Sequence, residues 1–352
     1  MGKLDRYIGL NVLLSMLGVL LVLVLLESLF SFLAQLDDVR ANYQVLDVAL
    51  YIMMLIPTNM YNLIPVSSMI GCIIGLGSMA SFSELTAMRA AGVSIRRIVW
   101  SVIKPALLMV IIGVFLGEYI APATEQIAET QRSIARSAEG TYSGEGVWHR
   151  QGNEFMYFNA VEPNGVLYGI SRFDFDDSMR LQASSYAKRA IFQGNHWILE
   201  DVTTSRLADG EFVREMRHIE PWKTDLTTEL LKTVVVSPDG LPLTGLSTYI
   251  DYLEQQGLVA EQYKLAFWTK ALQPLSVLSL VLVGISFIFG PLRSVSMGLR
   301  LFSGVITGVV FMLTQSLLGP SSLVFGFPAI LSVLIPVVFS AGLGLWLLKR
   351  VH

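Results

Sequence analysis

Six long apolar stretches dominate the 352-residue chain, approximately Ile8–Leu36, Val48–Ala80, Ile98–Ile120, Gln262–Phe289, Leu301–Leu318 and Val324–Leu348. Crossing about 30 Å of hydrocarbon with every backbone group satisfied takes a helix of about 20 mostly apolar residues, so each stretch reads as a membrane span. The first is far longer than the apolar core of a signal peptide and no small-x-small cleavage site follows it, so it is expected to remain as a span. Charged residues make up 15% of the chain, against roughly 25% in soluble proteins. They are also unevenly placed: Ala123–Ala260 holds 20 Asp/Glu and 12 Lys/Arg, leaving 21 charges for the other 214 residues. Intrinsic disorder, a collagen-like fibre and a single soluble core are excluded together.

Lys and Arg near span ends are retained on the cytoplasmic side. Lys3, Arg6, Arg89, Arg96, Arg97, Arg293, Arg300, Lys349 and Arg350 all fall on one side of the six-span layout. The other side carries Arg40 with Asp37, Asp38 and Asp47, and an uncharged loop after span five, Gly319–Ser322. Both termini are therefore expected in the cytoplasm, with the charged segment outside. A net charge of −3 and the lack of a Lys/Arg-rich run argue against nucleic acid. The one cysteine, Cys72, lies in an apolar run and reads as a small buried side chain.

From Gly146 to Lys223 the texture changes to short runs rich in Val, Ile, Tyr, Phe and Trp. Val147–Arg150, Glu154–Val161, Val166–Phe175, Leu181–Phe192, His196–Leu207 and Glu211–Trp222 read as strands, with hairpin chemistry at Gly194-Asn195 and Asp209-Gly210. Their spacing fits a sandwich, a jelly roll or a curved sheet. Leu246–Tyr263 reads as a helix leading into span four, with Leu246, Ile250, Leu253 and Leu258 on its apolar side. The expected organisation is three spans (1–122), an outer β-rich segment with helical connectors (123–260), and three more spans (261–352).

No catalytic chemistry emerges. Nothing matches G-x-x-x-x-G-K-[ST], H-E-x-x-H or G-x-S-x-G, and His149, His196, His218 and His352 are scattered. Asp176-Asp177 lies in a turn and reads as solvated. No metal site or cofactor is expected.

The cytoplasmic loop Ser81–Ser94, SFSELTAMRAAGVS, has the signs of a short helix at about 82–91. Ser81 and Glu84 have capping-box spacing, and Gly92 supplies a stop. Phe82, Leu85 and Met88 or Arg89 recur at helical spacing and form one sticky face. So short a helix needs tertiary or partner contacts. Glu84 either completes the cap or meets an arginine on a cytoplasmic subunit, and spacing does not separate the two. Within the spans, Glu27 lies about 15 Å from the outer end and cannot easily snorkel, so a wet cavity or a partner is expected to face it. Lys104 can snorkel to the interface. Lys264 and Lys270 lie toward the outer leaflet, where a lipid phosphate is a candidate ligand. Gly71/Gly75, Gly113/Gly117 and Gly304/Gly308 allow helices to approach closely, while Pro57 and Pro65 should bend span two.

Leu4-Asp-Arg-Tyr-Ile-Gly9, Ser83-Glu-Leu-Thr-Ala-Met-Arg-Ala-Ala-Gly-Val-Ser94, Gln273-Pro-Leu-Ser276 and Ser286-Phe-Ile-Phe-Gly-Pro-Leu-Arg-Ser294 resemble, in order and spacing, the LptF/LptG permeases of Gram-negative inner membranes. The likeness covers essentially the whole chain. It implies six spans in a three-plus-three arrangement with an inserted periplasmic β-jellyroll-like domain, in a non-catalytic subunit that extracts lipopolysaccharide from the periplasmic leaflet. In that family LptF and LptG pair around a cavity, two copies of the LptB ATPase sit beneath and hold ATP and Mg, and LptC receives lipopolysaccharide from the jellyrolls. The helix after span two is the family's coupling helix. Its glutamate, here Glu84, meets LptB, and Phe82, Leu85, Met88 and Arg89 are its companion candidates. Family members carry lysines near the outer end of span one, where this chain has Asp37 and Asp38 with Arg40. The substrate-binding candidates are thus Glu27, Arg40, Lys264 and Lys270.

Three rival readings have discriminating features. A permease for another lipid or lipoprotein would be separated by the lipid that copurifies. A lipid-modifying enzyme would need clustered outward-facing acids or histidines, and none is found in the sequence. An assembly protein using its β domain only for docking would show no ATP-dependent lipid movement with its partners.

Overall fold

In a computed structural model of the protein, every residue is described except 1, 40–42, 138–146, 162–165, 195, 209–210, 225–237, 256, 258, 291–294 and 351–352. Arg40, Asn195, Asp209-Gly210, Leu258 and Arg293 lie outside the described residues. The helices are α1 (Lys3–Gln35), α2 (Val45–Ser81), α3 (Glu84–Ala90), α4 (Ile95–Phe115), α5 (Ala121–Ser137), α6 (Leu243–Gln255), α7 (Glu261–Phe289), α8 (Met297–Phe325) and α9 (Ala329–Lys349). A π turn at Leu116–Ile120 joins α4 to α5. Six helices have the length and apolarity to cross a membrane, which matches the number of apolar stretches. Three boundaries differ from expectation. The Leu246–Tyr263 helix is divided between α6 and α7, with Gly257 at φ +67° between them. The third span continues to Arg132 through the π turn. The predicted Gly319–Ser322 loop is helical, because Ser321 and Ser322 return their hydroxyls to the carbonyls of Leu317 and Gly319, and α8 stops only at Gly326, whose φ is +70°. The described chain divides into two compact units, one of Met1–Ser31, Ile56–Ala121 and Pro242–His352, the other of Phe32–Leu55 and Pro122–Leu241.

In the first unit α2 is the hub. α1 buries a stripe of residues four apart, Ile8, Val12, Met16, Leu20 and Val24. The stripe meets α2 at Gly71 and Gly75: a Cβ at Gly71 would collide with the Met16 backbone, and one at Gly75 would lie 2.9 Å from Val12 Cα. From the opposite chain direction, a Cβ at Gly117 would strike the Tyr61 ring, and those at Gly304 and Gly308 would lie 2.7 and 2.8 Å from Ile73 and Val66. All three small-residue pairs therefore mark approaches to α2, and Cys72 is buried beside them.

The proline positions explain a second contact. Pro65 lies inside α2 and lacks the N–H that the Tyr61 carbonyl, four residues earlier, would accept. Gln273 of α7 supplies it instead, its Nε2 lying 2.8 Å from that oxygen. A buried carbonyl left unpaired costs about 1–3 kcal/mol. Gln273→Leu, similar in bulk but without the donor, is therefore expected to destabilise the purified protein by about that much; an unchanged thermal midpoint in detergent would disprove the pairing's role.

The second unit holds one antiparallel sheet of β1 (Val147–Gln151), β2 (Glu154–Val161), β3 (Val166–Phe175), β4 (Leu181–Phe192), β5 (Trp197–Ala208) and β6 (Glu211–Trp222), in sequential order. Among the described residues the order is that of a meander; the crossovers of paired Greek keys, which define a jelly roll, are not among these pairings. One face buries Met156, Phe158, Leu167, Ile170, Ala187, Ala190, Trp197, Leu199, Val202 and Trp222. Strands alternate faces with period two, yet Leu167/Ile170, Ala187/Ala190 and Leu199/Val202 are three apart. Between these pairs Gly169 (φ +62°) and Asp201 (φ +52°) turn left-handed, and the inward set changes parity there on neighbouring strands. A separate small cluster packs Tyr43, Val48, Tyr51 and Ile52 against Ala128.

Asp176 is more than solvated. Its carboxylate accepts the Ser178 and Arg180 backbone N–H groups at 2.9 and 2.8 Å, and the side chains of Arg180 and Gln182 at 3.0 and 3.2 Å. These bonds, led by the Arg180 backbone, hold it below the ordinary carboxylate value of 3.8 despite some desolvation. A lowered acid contributes its stability above the unfolded value and loses it as pH falls through the folded one. Protection from exchange at the Ser178 and Arg180 amides, measured relative to their intrinsic rates, should fall as pH drops below 3.8, and Asp176→Asn should abolish that dependence; an unaltered pH profile in the variant would refute it.

Candidate functional site

The site forms where α2 gives way to α3. α2 stays helical through Ser81, whose hydroxyl donates back to the Gly77 carbonyl at 2.9 Å. A helical residue cannot serve as the extended N-cap of a capping box, so the expected Ser81–Glu84 box does not form. Ser83 takes the N-cap position instead, at φ +60° and without a side-chain cap bond. α3 accordingly spans Glu84–Ala90, shorter than the expected 82–91. Its far end is closed as expected: Gly92 has φ +87°, with Gly92 N–H bonded to the Arg89 carbonyl and Val93 N–H to the Met88 carbonyl, the two bonds of a Schellman motif. Ser94 then caps α4 through the Arg97 N–H.

Released from capping, the Glu84 carboxylate faces α1 and accepts the Tyr7 hydroxyl at 3.1 and 3.3 Å. Two residues earlier on α1, Asp5 is held by Arg97 at 3.0 Å and by the Ser101 hydroxyl at 3.2 Å. The start of α1 is thus tied to both α3 and α4. The predicted sticky face divides. Leu85 is buried and Met88 packs on the same core, so both hold α3 to its own chain. Phe82, 79% exposed, precedes the helix. Arg89 lines a cleft of about 420 Å³ with Ala80, Leu85, Thr86, Ala90, Ile288 and Phe289. The surface available to another molecule is Phe82, Glu84, Thr86 and Arg89 around that cleft.

Of the substrate-binding candidates, Arg40 lies outside the described residues, and among those described no contact joins Glu27, Lys264 and Lys270 to one another. Glu27 is exposed on α1, outside the buried stripe. Lys264 is clamped by Glu254 at 2.8 Å and Glu261 at 2.9 Å, so a phosphate there would compete with two carboxylates. Lys270 lies 5.6 Å from the centre of the Tyr61 ring, and six residues of helix rotate it about 240° from Lys264.

Four residues escaped the sequence reading. Tyr7 and Gln273 sit inside quoted motifs, which was the available signal. Arg300, counted only for its charge, is 4% exposed and donates to the Gly77 carbonyl at 3.1 Å, fastening α8 to α2. Glu118 in the π turn accepts the Leu243 N–H at 2.8 Å and the Thr244 hydroxyl at 2.9 Å, capping α6; nothing in the local sequence predicts that pairing.

Six crossing-length helices, an antiparallel sheet inserted between the third and fourth, and a short clefted helix beyond the second describe a multi-pass membrane protein. The chain belongs to the lipopolysaccharide export system permease LptF/LptG family, whose pattern it matches over residues 6–350. It is similar to the lipopolysaccharide export system permease protein LptG of Escherichia coli strain K12, with 36% identity over 99% of this chain and 98% of the relative. The LptG of Haemophilus influenzae is 34% identical over 99% of both chains.

If Tyr7 and Glu84 hold one another, their losses on mutation must be non-additive. In a cycle of Tyr7→Phe, Glu84→Gln and the double variant, thermal midpoints should reveal a coupling; strict additivity would show the contact to be incidental.

Proposed function

We propose that this chain is the LptG-type permease subunit of a lipopolysaccharide exporter. The observation that carries the reading is similarity over 99% of its length to proteins named as lipopolysaccharide export permeases. In this reading both termini are cytoplasmic, the spans form a three-plus-three bundle, and the sheet is the jellyroll-like periplasmic part that hands lipid to LptC. LptF completes the cavity. α8 is the least buried of the six crossing helices and α1 is also poorly buried, which supports an apolar partner or cargo beside them. Glu27, the acid outside the packed stripe of α1, and Arg40 are offered as cavity contacts, with Lys270 as a further candidate.

Moving lipid from a bilayer is unfavourable by about 0.8 kcal/mol per CH₂, so external work must be coupled in. LptB, an ATPase dimer binding ATP and Mg, supplies it through α3, and this chain hydrolyses nothing. Glu84 offers its carboxylate to an LptB arginine, with Phe82 and Arg89 beside it, while Leu85 and Met88 carry the motion into the bundle. Tyr7 ties the same carboxylate to α1, so displacement of α3 reaches the cavity wall.

A reconstituted complex with LptF, LptB and LptC tests this. Glu84→Ala should lower ATP-dependent lipopolysaccharide release by about tenfold or more, the range of typical site-to-site coupling, with the complex still assembled. Full transport by the variant would remove α3 from the coupling path. Recovery of another lipid as the principal copurified species, identified by mass spectrometry, would redirect the cargo assignment.

A further inference from the structure

We propose a binding site for an anionic phospholipid at the charged end of the helical unit, separate from the cargo path. Between the first turns of α4, the C-terminal half of α7 and the last turns of α9 lies a cavity of about 380 Å³. Its floor is apolar, from Val99, Leu282, Leu345 and Leu348, and its rim carries Arg96 and Lys349 with Trp100. No acid lines it. Among the described residues neither Arg96 nor Lys349 has an ion-pair partner. Neighbouring charges of the same end are already engaged: Arg97 by Asp5 at 3.0 Å, and Arg350 over the Trp346 ring at 3.8 Å.

Two free cations above a greasy slot match one ligand chemistry, a phosphate carried on acyl chains. The phosphate sits between Arg96 and Lys349, the chain lies along Leu282 and Leu345, and Trp100, 63% exposed, occupies the headgroup level that indole rings favour. Basic pockets between spanning helices recognise anionic headgroups in this way, each cation near the surface contributing to affinity. A protein partner would need a matching acidic and apolar segment; a single bilayer lipid satisfies both requirements where it lies. Which leaflet supplies the lipid rests on the proposed orientation, but the preference for negative charge does not.

The test uses the full-length chain in detergent, stripped of lipid and titrated with phosphatidylglycerol, cardiolipin or phosphatidylethanolamine under native mass spectrometry. The wild type should hold the anionic lipids more tightly than phosphatidylethanolamine. Arg96→Gln/Lys349→Gln should weaken anionic binding by about tenfold or more, leaving phosphatidylethanolamine binding and the thermal midpoint unchanged. Equal affinity of the wild type for all three lipids would overturn the proposal, as would a double variant that binds phosphatidylglycerol like the wild type. A variant losing lipopolysaccharide but not phosphatidylglycerol would make the pocket a cargo site and overturn it too. Quenching by brominated phosphatidylglycerol should fall in Trp100→Phe; unchanged quenching places the lipid elsewhere. Labelling of Ser94→Cys from either side of the membrane reports orientation separately, so failure of the topology is distinguishable from failure of the site.

Discussion

Inside a bilayer the lipid is as apolar as any leucine, so helices associate through close packing and hydrogen bonds and not through escape from water. The helical unit depends on how near other backbones can come to α2. Gly71 and Gly75 admit α1, Gly117 admits the π turn, and Gly304 and Gly308 admit α8, each where a Cβ would meet an atom of the facing helix. Everything that α1, α3 and α8 do is referred to that common axis. Overpacking a tight helix contact typically costs about 1–3 kcal/mol, enough to shift the whole arrangement.

Hydrogen bonding follows the same axis. Three polar side chains bind backbone groups of other segments: Gln273 at the carbonyl orphaned by Pro65, Glu118 at the open start of α6, and Arg300 at the Gly77 carbonyl, which the Ser81 hydroxyl also reaches. Each joins segments distant in sequence, and each satisfies an atom that water cannot reach or reaches poorly. Glu27, by contrast, stays outside any such pairing among the described residues.

α3 illustrates how local and tertiary demands compete. Its composition favours a capping box, yet α2 stays helical through Ser81, the residue the box needs extended, and Glu84 turns to Tyr7. A seven-residue helix has little stability of its own. It is held by Leu85 and Met88 beneath and by Tyr7 at the side, while Phe82 and Arg89 remain outside. An element anchored on one face and open on the other can pass a displacement inward.

Hydropathy, turn chemistry and strand texture are local, period-based signals, and they sufficed for the number of spans, five of the six strands at the N-terminal residue and four at both ends, and the existence of α3. Motif order, a property of the chain alone, was enough for the family. What required the tertiary structure were pairings between residues far apart: Tyr7 with Glu84, Gln273 with Tyr61, Arg300 with Gly77, Glu118 with α6. The change of inward face at Asp201 belongs with them, since a positive φ at a non-glycine inside a strand has no reliable local signature, whereas Gly169 carries the local mark of a glycine within a strand run. Periodicity reports which side of an element is apolar. It does not report which neighbour arrives there, because that choice is made by packing between segments whose separation in sequence carries no information about their contact.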